Sequence, residues 1–430
     1  MIKSFFNKNN SLIKASYYNV IIVIVKVISG VITSNVLAKV GPSGFAIIGN
    51  FRNFIEGASS FTAEGYQNGT IRYISENQNN SVKQKQLLAT VFQLSLSFSI
   101  IVGLVLFLFC DFWSQMVFHH QEYNSIIKIT GIGLPFLSFN LLLIYIFNGF
   151  EKYKKLAILN SILSLGNMVV TVLLTIEFGL EGALYGIILG PFFVFLIFLI
   201  VLGEQRNILL HLFKFQYFKF NVVRNLSSYL FMALYSVLIV SSSFLIIRNF
   251  IIEKLGADQA GYWEAMNKIS SFYLMFFVSL TTFYLLPKFS KSNLFSEFIE
   301  ECKRFYSLII PVVVFGFIVI YFLRFFVLDI VLNKDFYPTE ELFLWKLIGD
   351  FFNILSLVLI KKILSKKNVI AYLVSNGMLN LMFVIFSYFF LDIFGLEGVL
   401  KAQALSYFLY LWIVVFFLRI YFKKQNNSFG

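Results

Sequence analysis

The sequence predicts an all-α polytopic membrane protein, with twelve transmembrane helices in two parallel six-helix lobes. Three observations predict it: a composition too apolar for a soluble chain, a run of apolar stretches of membrane-crossing length, and a repeat at half the chain length. Of 430 residues, 58% are hydrophobic and only 13% charged, with 55 Phe. Soluble domains carry about 25% charged residues, so this chain cannot cover itself with polar surface, and a water-soluble globular enzyme is excluded. Two Cys exclude a disulfide scaffold, and six Pro without a low-complexity tract exclude a disordered or collagen-like chain.

A bilayer core about 30 Å thick requires about 20 apolar residues per helix. Such stretches run over 12–38, 42–66, 87–110, 125–148, 156–176, 182–202, 226–252, 260–286, 305–328, 342–363, 368–391 and 396–422. Barrel strands would be about 10 residues long and alternate polar with apolar. Ile187 to Leu202 does not alternate, so the spans are helices. The longest polar connections, Gly203 to Asn225 and Pro287 to Arg304, hold 23 and 18 residues, too few for a catalytic domain with its own core. The N-terminus shows no small-residue cleavage site, so the first helix reads as retained.

Lys and Arg placement orients the spans. The N-terminus, the C-terminal end and every second loop hold 24 of the 35 cations, including Lys152, Lys154 and Lys155, and Lys361, Lys362, Lys366 and Lys367. Counting several residues near span ends with the adjoining side, the opposite side holds five, and six remain within the spans. Both termini are therefore expected in the cytoplasm, and an even number of helices agrees. The net charge of +13 is mostly this topology signal. No compact basic domain supports nucleic-acid binding. Cys110 and Cys302 fall on opposite faces and cannot pair.

The pentapeptide Phe178-Gly179-Leu180-Glu181-Gly182 recurs as Phe394-Gly395-Leu396-Glu397-Gly398, an offset of 216. Within one residue, the same offset relates Gly41 to Gly256, Gly44 to Gly261, Asn50 to Asn267, Gly133 to Gly349 and Asn160 to Asn376. This marks a duplication into lobes 1–215 and 216–430. Six helices per half make the repeat parallel, about an axis along the membrane normal, a plan in which halves rock around a midplane site. The connection from Gly203 to Asn225 sets Leu209, Phe213 and Tyr217 beside Lys214 and Lys219. It reads either as an amphipathic segment on the cytoplasmic leaflet or as a solvated connector.

Ionisable residues inside a span are costly and usually face a cavity or a partner. The first helix carries Asn19, Lys26 and Thr33 at seven-residue spacing, with Ser29 beside them. The second carries Asn50, Arg52, Asn53 and Glu56, with Glu64 further on; the seventh carries Ser241 and Arg248. The eighth carries Glu264, Asn267, Lys268 and Ser271, and the tenth Lys346, Asp350 and Asn353. One reading pairs them internally, as Arg52–Glu56, Glu264–Lys268 and Lys346–Asp350. Lys26 and Arg248 have no acid on their own helix face, however. Equivalent helices of the two halves would then line a cavity with Lys26, Arg52, Arg248 and Lys268, joined by Asn50. That excess of cation suits an anionic substrate, phosphate above all. Glu56, Glu264 and Asp350 are either structural partners or groups that exchange a coupling ion, H+ or Na+.

His119-His120 lack metal-ligand spacing, and no GxxxxGK[ST] loop is present. No metal, cofactor or direct ATP use is expected.

Val25-Lys26-Val27, Gly41-Pro42-Ser43-Gly44 followed by Asn50-Phe51-Arg52, and Asn68-Gly69 followed by Arg72-Tyr73 mark the first half. Arg248, Tyr284-Leu285-Leu286-Pro287 and Gly349-Asp350 mark the second. In this order and spacing the chain resembles, over essentially its full length, the Wzx-type polysaccharide flippases of the multidrug/oligosaccharidyl-lipid/polysaccharide exporter superfamily, the O-antigen and enterobacterial common antigen flippases among them. The resemblance implies two six-helix lobes around a cationic lumen. It implies an undecaprenyl-pyrophosphate-linked oligosaccharide as cargo, moved from the cytoplasmic to the periplasmic leaflet of the bacterial inner membrane. Lys26, Arg52, Arg248 and Asp350 sit on matching positions. Glu56, Glu64, Glu264 and Lys268 stand outside it and rest on the charge argument alone.

The function expected is alternating-access flipping of that lipid for surface polysaccharide synthesis, with membrane lipids and polysaccharide-assembly proteins as further partners. An ion-coupled drug antiporter would want net acid in its cavity, against the excess of cation. A membrane-embedded polymerase or ligase would need a substantial outer loop, which the chain lacks.

Overall fold

Residues 2–77, 80–118, 121–201, 215–285, 288–289, 294–365 and 369–429 are described by a computed structural model. They are helical almost throughout, with no strand among the described residues. Internal contacts divide the chain into two units. The first comprises Met1–Val40 with Ile47–Ser241, the second Gly41–Ala46 with Ser242–Gly430.

In the first unit, α1 (Ile2–Leu37) ends in a 3-10 turn over Ala38–Val40. Gly41, at φ +82°, then redirects the chain, and Pro42 fits the first turn of α2 (Gly41–Ser60), where a missing N–H costs nothing. The span expected over 42–66 stops at Ser60. The Ser60 and Thr62 hydroxyls donate back to the carbonyls of Gly57 and Ser59 at 2.6 and 2.7 Å, and the chain tightens into a 3-10 turn over Ala63–Tyr66. A short helix follows, α3 (Gln67–Glu76), where the sequence suggested loop.

Helices α4 (Ser81–Leu108) and α6 (Asn124–Gly149) flank the short α5 (Cys110–Phe118). The Asn80 side chain caps α4 by accepting from the Lys83 N–H at 3.0 Å. Where α4 and α6 meet, Gly103 and Gly131 bring the two backbones together so closely that a Cβ on either would strike the other's carbonyl. Small residues at such crossings are the usual means of tight helix packing in lipid.

Helix α7 (Tyr153–Val201) is 49 residues long and bends at Gly179, where φ +58° and ψ −130° are open only to glycine. Its two arms pack along Gly182, Gly186 and Gly190, whose missing Cβ atoms make room for Leu174, Thr171 and Asn167. In the second unit, α13 (Val369–Phe429) repeats the device, bending at Gly395 with φ +59° and ψ −144°. Gly398 there meets the Phe390 carbonyl as Gly182 meets that of Leu174. Ala402 and Ser406, both buried, continue the four-residue spacing.

The unit boundary falls within α8 (Phe220–Leu255). Gly256, at φ +95°, turns the chain into α9 (Ala257–Leu280) as Gly41 turns it into α2. Among the described residues, the four glycines with positive φ thus form two pairs, 41 with 256 and 179 with 395. After α10 (Phe295–Phe322) and α11 (Arg324–Val331), a 3-10 stretch leads to α12 (Phe343–Ser365). The span expected over 305–328 therefore begins ten residues earlier and breaks at Leu323. The Glu297 carboxylate accepts the Leu294 N–H at 3.3 Å, which starts α10 inside the polar stretch. The segment Gly41–Ala46 belongs to this unit through local contacts: the Ser43 N–H donates to Asp258 at 3.1 Å, and Phe45 meets Phe336 edge-on.

Each unit has its own apolar core, around Phe92, Tyr145 and Phe198 in the first and Phe289, Phe298 and Phe305 in the second. Large apolar side chains also point outward, among them Ile200 at 78% and Phe322 at 74% exposure. Eight helical stretches among the described residues are long and apolar enough to cross a membrane. The chain is a multi-pass membrane protein. Helix α9, with Asp258, Glu264, Asn267 and Lys268 in its first half, is not among the eight.

Candidate functional site

In the first unit the polar stripe of α1 divides. The Ser29 and Thr33 hydroxyls donate to carbonyls of their own helix, Val25 and Ser29, at 2.7 Å each. Lys26 is half-buried and has no carboxylate within ion-pair distance among the described residues. On α2, Arg52 is half-buried and Glu56, one turn on, is exposed. Asn50 is buried and donates its amide to the Val117 carbonyl at 3.2 Å, tying α2 to α5. Glu64 accepts from Ser59 beyond the end of α2.

The second unit holds a denser set. Arg248 is fully buried and ion-paired to Glu264. Its guanidinium lies 5.4 Å from the centre of the Trp263 ring, a stacking that favours Arg over Lys. The sequence paired Glu264 with Lys268 and placed no acid on Arg248's own helix face; the structure instead pairs Glu264 with Arg248 from the neighbouring helix. Spacing along one helix cannot see the next. The Gly256 turn makes α8 and α9 a hairpin, and Arg248 and Glu264 lie eight residues before and after it. Lys268 instead stands over the Phe272 ring at 5.3 Å.

A second cluster gathers on α9, α12 and α13. Lys346 and Asp350 are paired at 3.8 Å, as their spacing on one face suggested. The Lys346 ammonium also donates to Asn267 at 2.8 Å and Gln403 at 3.0 Å. Asp350, 1% exposed, accepts from Ser270 at 2.5 Å and from the Tyr273 hydroxyl. A buried ion pair repays its desolvation only when further hydrogen bonds support it, and here Asp350 accepts two and Lys346 donates two. Ser270, Tyr273 and Gln403 carried no signal of their own in the sequence, because neutral polar residues are common in transmembrane helices. Lys362 is also fully buried, donating to the Phe289 carbonyl at 3.1 Å above the Phe298 and Phe422 rings.

The buried pairs of the second unit are balanced, two cations with two carboxylates. In the first unit, Lys26 has no acid within ion-pair distance among the described residues. Chemically, an ammonium held in an apolar helix is an anion receptor, while the Arg248 and Lys346 pairs are closed to a ligand unless a carboxylate lets go. Among the described residues no cluster of His, Cys, Asp or Glu could hold a metal ion. His119 and His120, and residues 203–214 of the connection read as amphipathic, lie outside the described residues.

Residues 12–293 match the polysaccharide biosynthesis protein family. The chain is 24% identical over 404 residues to a lipid III flippase of Escherichia coli (strain K12), covering 93% of this chain and 96% of the relative. It is equally similar to the lipid III flippase of Shigella flexneri. Among solved structures, an inward-facing multidrug resistance MATE family transporter of the MOP superfamily superposes with a TM-score of 0.71 at 15% identity, over 95% of this chain and 96% of that one. A MOP superfamily transporter from Pyrococcus furiosus, described as having a binding pocket of reversed polarity that suggests a different function, superposes with a TM-score of 0.64 at 15% identity, over 97% and 96%. These structural likenesses establish the transporter fold.

Proposed function

The chain belongs to the polysaccharide biosynthesis protein family, and on that premise we propose that it is a lipid-linked oligosaccharide flippase. It carries an undecaprenyl-pyrophosphate-linked repeat unit from the cytoplasmic to the periplasmic leaflet of the bacterial inner membrane, for O-antigen or a related surface polysaccharide. The flippase relatives, similar over nearly their whole length, support this cargo class. It is a transporter and not an enzyme.

The observation that carries the assignment is Lys26, a membrane-embedded cation with no acid partner among the described residues. A pyrophosphate supplies the missing anion. Lys26 and Arg52 are the cations assigned to it in the first unit, with Asn50 fixing α2 beside them; Arg248 and Lys268 are those of the second. Arg248 becomes available only when Glu264 releases it, and Asp350 stands in the same relation to Lys346. Such releasable pairs suit Glu264 and Asp350, with the exposed Glu56, to coupling by H+ or Na+. The two duplicated halves, 1–215 and 216–430, act as the lobes of an alternating-access carrier of twelve spans, both termini in the cytoplasm. Polysaccharide-assembly proteins receive the flipped lipid.

The drug-antiporter alternative needs a cavity rich in acid. Lys26 and the neutralised carboxylates of the second unit argue against it. The test is reconstitution of the full chain in vesicles with a fluorescent undecaprenyl-pyrophosphate-linked sugar, followed by quenching from outside. Leaflet exchange of the lipid without uptake of organic cations supports the flippase; cation uptake without lipid exchange replaces it with the antiporter.

A further inference from the structure

An open apolar groove of about 700 Å³ runs along the first unit between α1 and the two arms of α7. Tyr18, Leu165, Val169, Phe193 and Ile197 are among its walls, and Lys154 stands at one end with Ser161 further in. The α7 residues facing it recur every three or four positions from Lys154 to Val170, a single helix face.

Lys154 belongs to a cluster of three lysines at the start of α7, but only it lines the groove. Lys152 is held over the Phe150 ring at 5.6 Å and Lys155 over the Phe147 ring at 5.8 Å. Lys154 is exposed and has no such partner among the described residues. The duplication makes it informative: an offset of 216 puts Ile370 in its place and Gly377 in that of Ser161. The framework therefore does not require this cation. An apolar groove elsewhere, walled by Val314, Phe317 and Phe351 in the second unit, has no charged residue in its lining.

Sixteen residues separate Lys154 from Val170, about 24 Å of helix. Half a bilayer core is about 15 Å deep. An acyl chain whose phosphate sat on Lys154 would end before the groove does, whereas a longer prenyl chain fills it. We propose that this groove seats the polyprenyl chain of a polyprenyl-pyrophosphate lipid, its pyrophosphate meeting the Lys154 ammonium. This rests on the flippase assignment and adds a docking position that the lipid occupies before its pyrophosphate passes to Lys26.

The test is photolabelling of the full chain in vesicles by undecaprenyl pyrophosphate carrying a benzophenone on its tail. Labelling is expected on α7 between Ile158 and Val170, falling about fivefold in Lys154→Gln, the loss of one lysine–phosphate attraction. Leu165→Trp, which fills the groove, is expected to reduce it likewise, and Phe351→Trp in the uncharged groove to leave it unchanged. Lys154 is exposed, so its variant keeps the fold, verified by an unchanged unfolding temperature. The proposal is overturned if Lys154→Gln labels like the parent, or if phosphatidylglycerol competes as well as unlabelled undecaprenyl pyrophosphate. Leaflet exchange in the same vesicles separates the two claims. Exchange without labelling of α7 rejects the groove and keeps the flippase; labelling without exchange keeps the groove and rejects the flippase.

Discussion

Arg248 and Glu264 face each other across the Gly256 turn, and the ion pair rests on the ring of Trp263. Arg248 is fully buried, and Glu264 is the carboxylate paired with it. Glu264→Gln takes the carboxylate away from a buried guanidinium and is expected to cost about 3 kcal/mol, and Arg248→Met, which leaves the partly exposed Glu264, is expected to cost less. The double variant is expected to lose much less than the sum. Thermal unfolding of the four proteins in detergent checks this. Additive losses would mean that the two side chains are not paired.

Gly179→Ala and Gly395→Ala each force a Cβ into a glycine-only conformation and are expected to cost about 1–3 kcal/mol. Gly182→Ala and Gly398→Ala are expected to cost more, because the new methyl would overlap a carbonyl, that of Leu174 or Phe390. Equal unfolding temperatures within each pair of equivalent variants would confirm that the two bends do the same work. A loss confined to one member would show that the repeat has diverged there.

Lys346 and Asp350 are a coupling candidate embedded in a hydrogen-bonded network. Asp350→Ala strands the Lys346 ammonium and is expected to destabilise by about 3–5 kcal/mol. Lys346→Met with Asp350→Leu removes both charges and restores most of that stability. If the pair couples an ion, this stable double variant exchanges lipid slowly and without dependence on an H+ or Na+ gradient. A double variant that keeps the parent's gradient response would make the pair purely structural.

Gly261 shows how tightly the segment Gly41–Ala46 is held. A Cβ at 261 would overlap the Pro42 carbonyl, so Gly261→Ala is expected to destabilise by about 1–3 kcal/mol or more. Asp258→Asn, which only weakens the bond to the Ser43 N–H, is expected to cost about 1 kcal/mol. Proteolysis near residue 41 would report release of the segment.

Much of this was legible in the sequence because hydrophobic length and glycine placement are local signals. The stretches at 156–176 and 182–202 are the two arms of α7, and the repeated pentapeptide marks both bends. Lys346–Asp350 was legible because its partners are one turn apart. Three features were not. The assignment of Gly41–Ala46 to the second unit is a tertiary fact with no local trace. Helices α3 and α5 are too short for a membrane-length window. The Arg248–Glu264 pair needed the hairpin register, which equal distances from Gly256 supply once the turn is known. The same pairing removes one cation from the expected excess and leaves Lys26 as the sharper candidate.

The most direct measurement is therefore the rate at which vesicles containing parent, Lys26→Arg or Lys26→Gln protein exchange a labelled undecaprenyl-pyrophosphate-linked sugar between leaflets. Lys26 has no carboxylate to strand, so both variants are expected to keep the parent's unfolding temperature. Lys26→Arg is expected to retain most of the exchange. Lys26→Gln is expected to lose about tenfold, the value of one charge-assisted phosphate contact at about 1.5 kcal/mol. A Lys26→Gln protein that folds and exchanges the lipid as fast as the parent would contradict a cationic pyrophosphate site at Lys26.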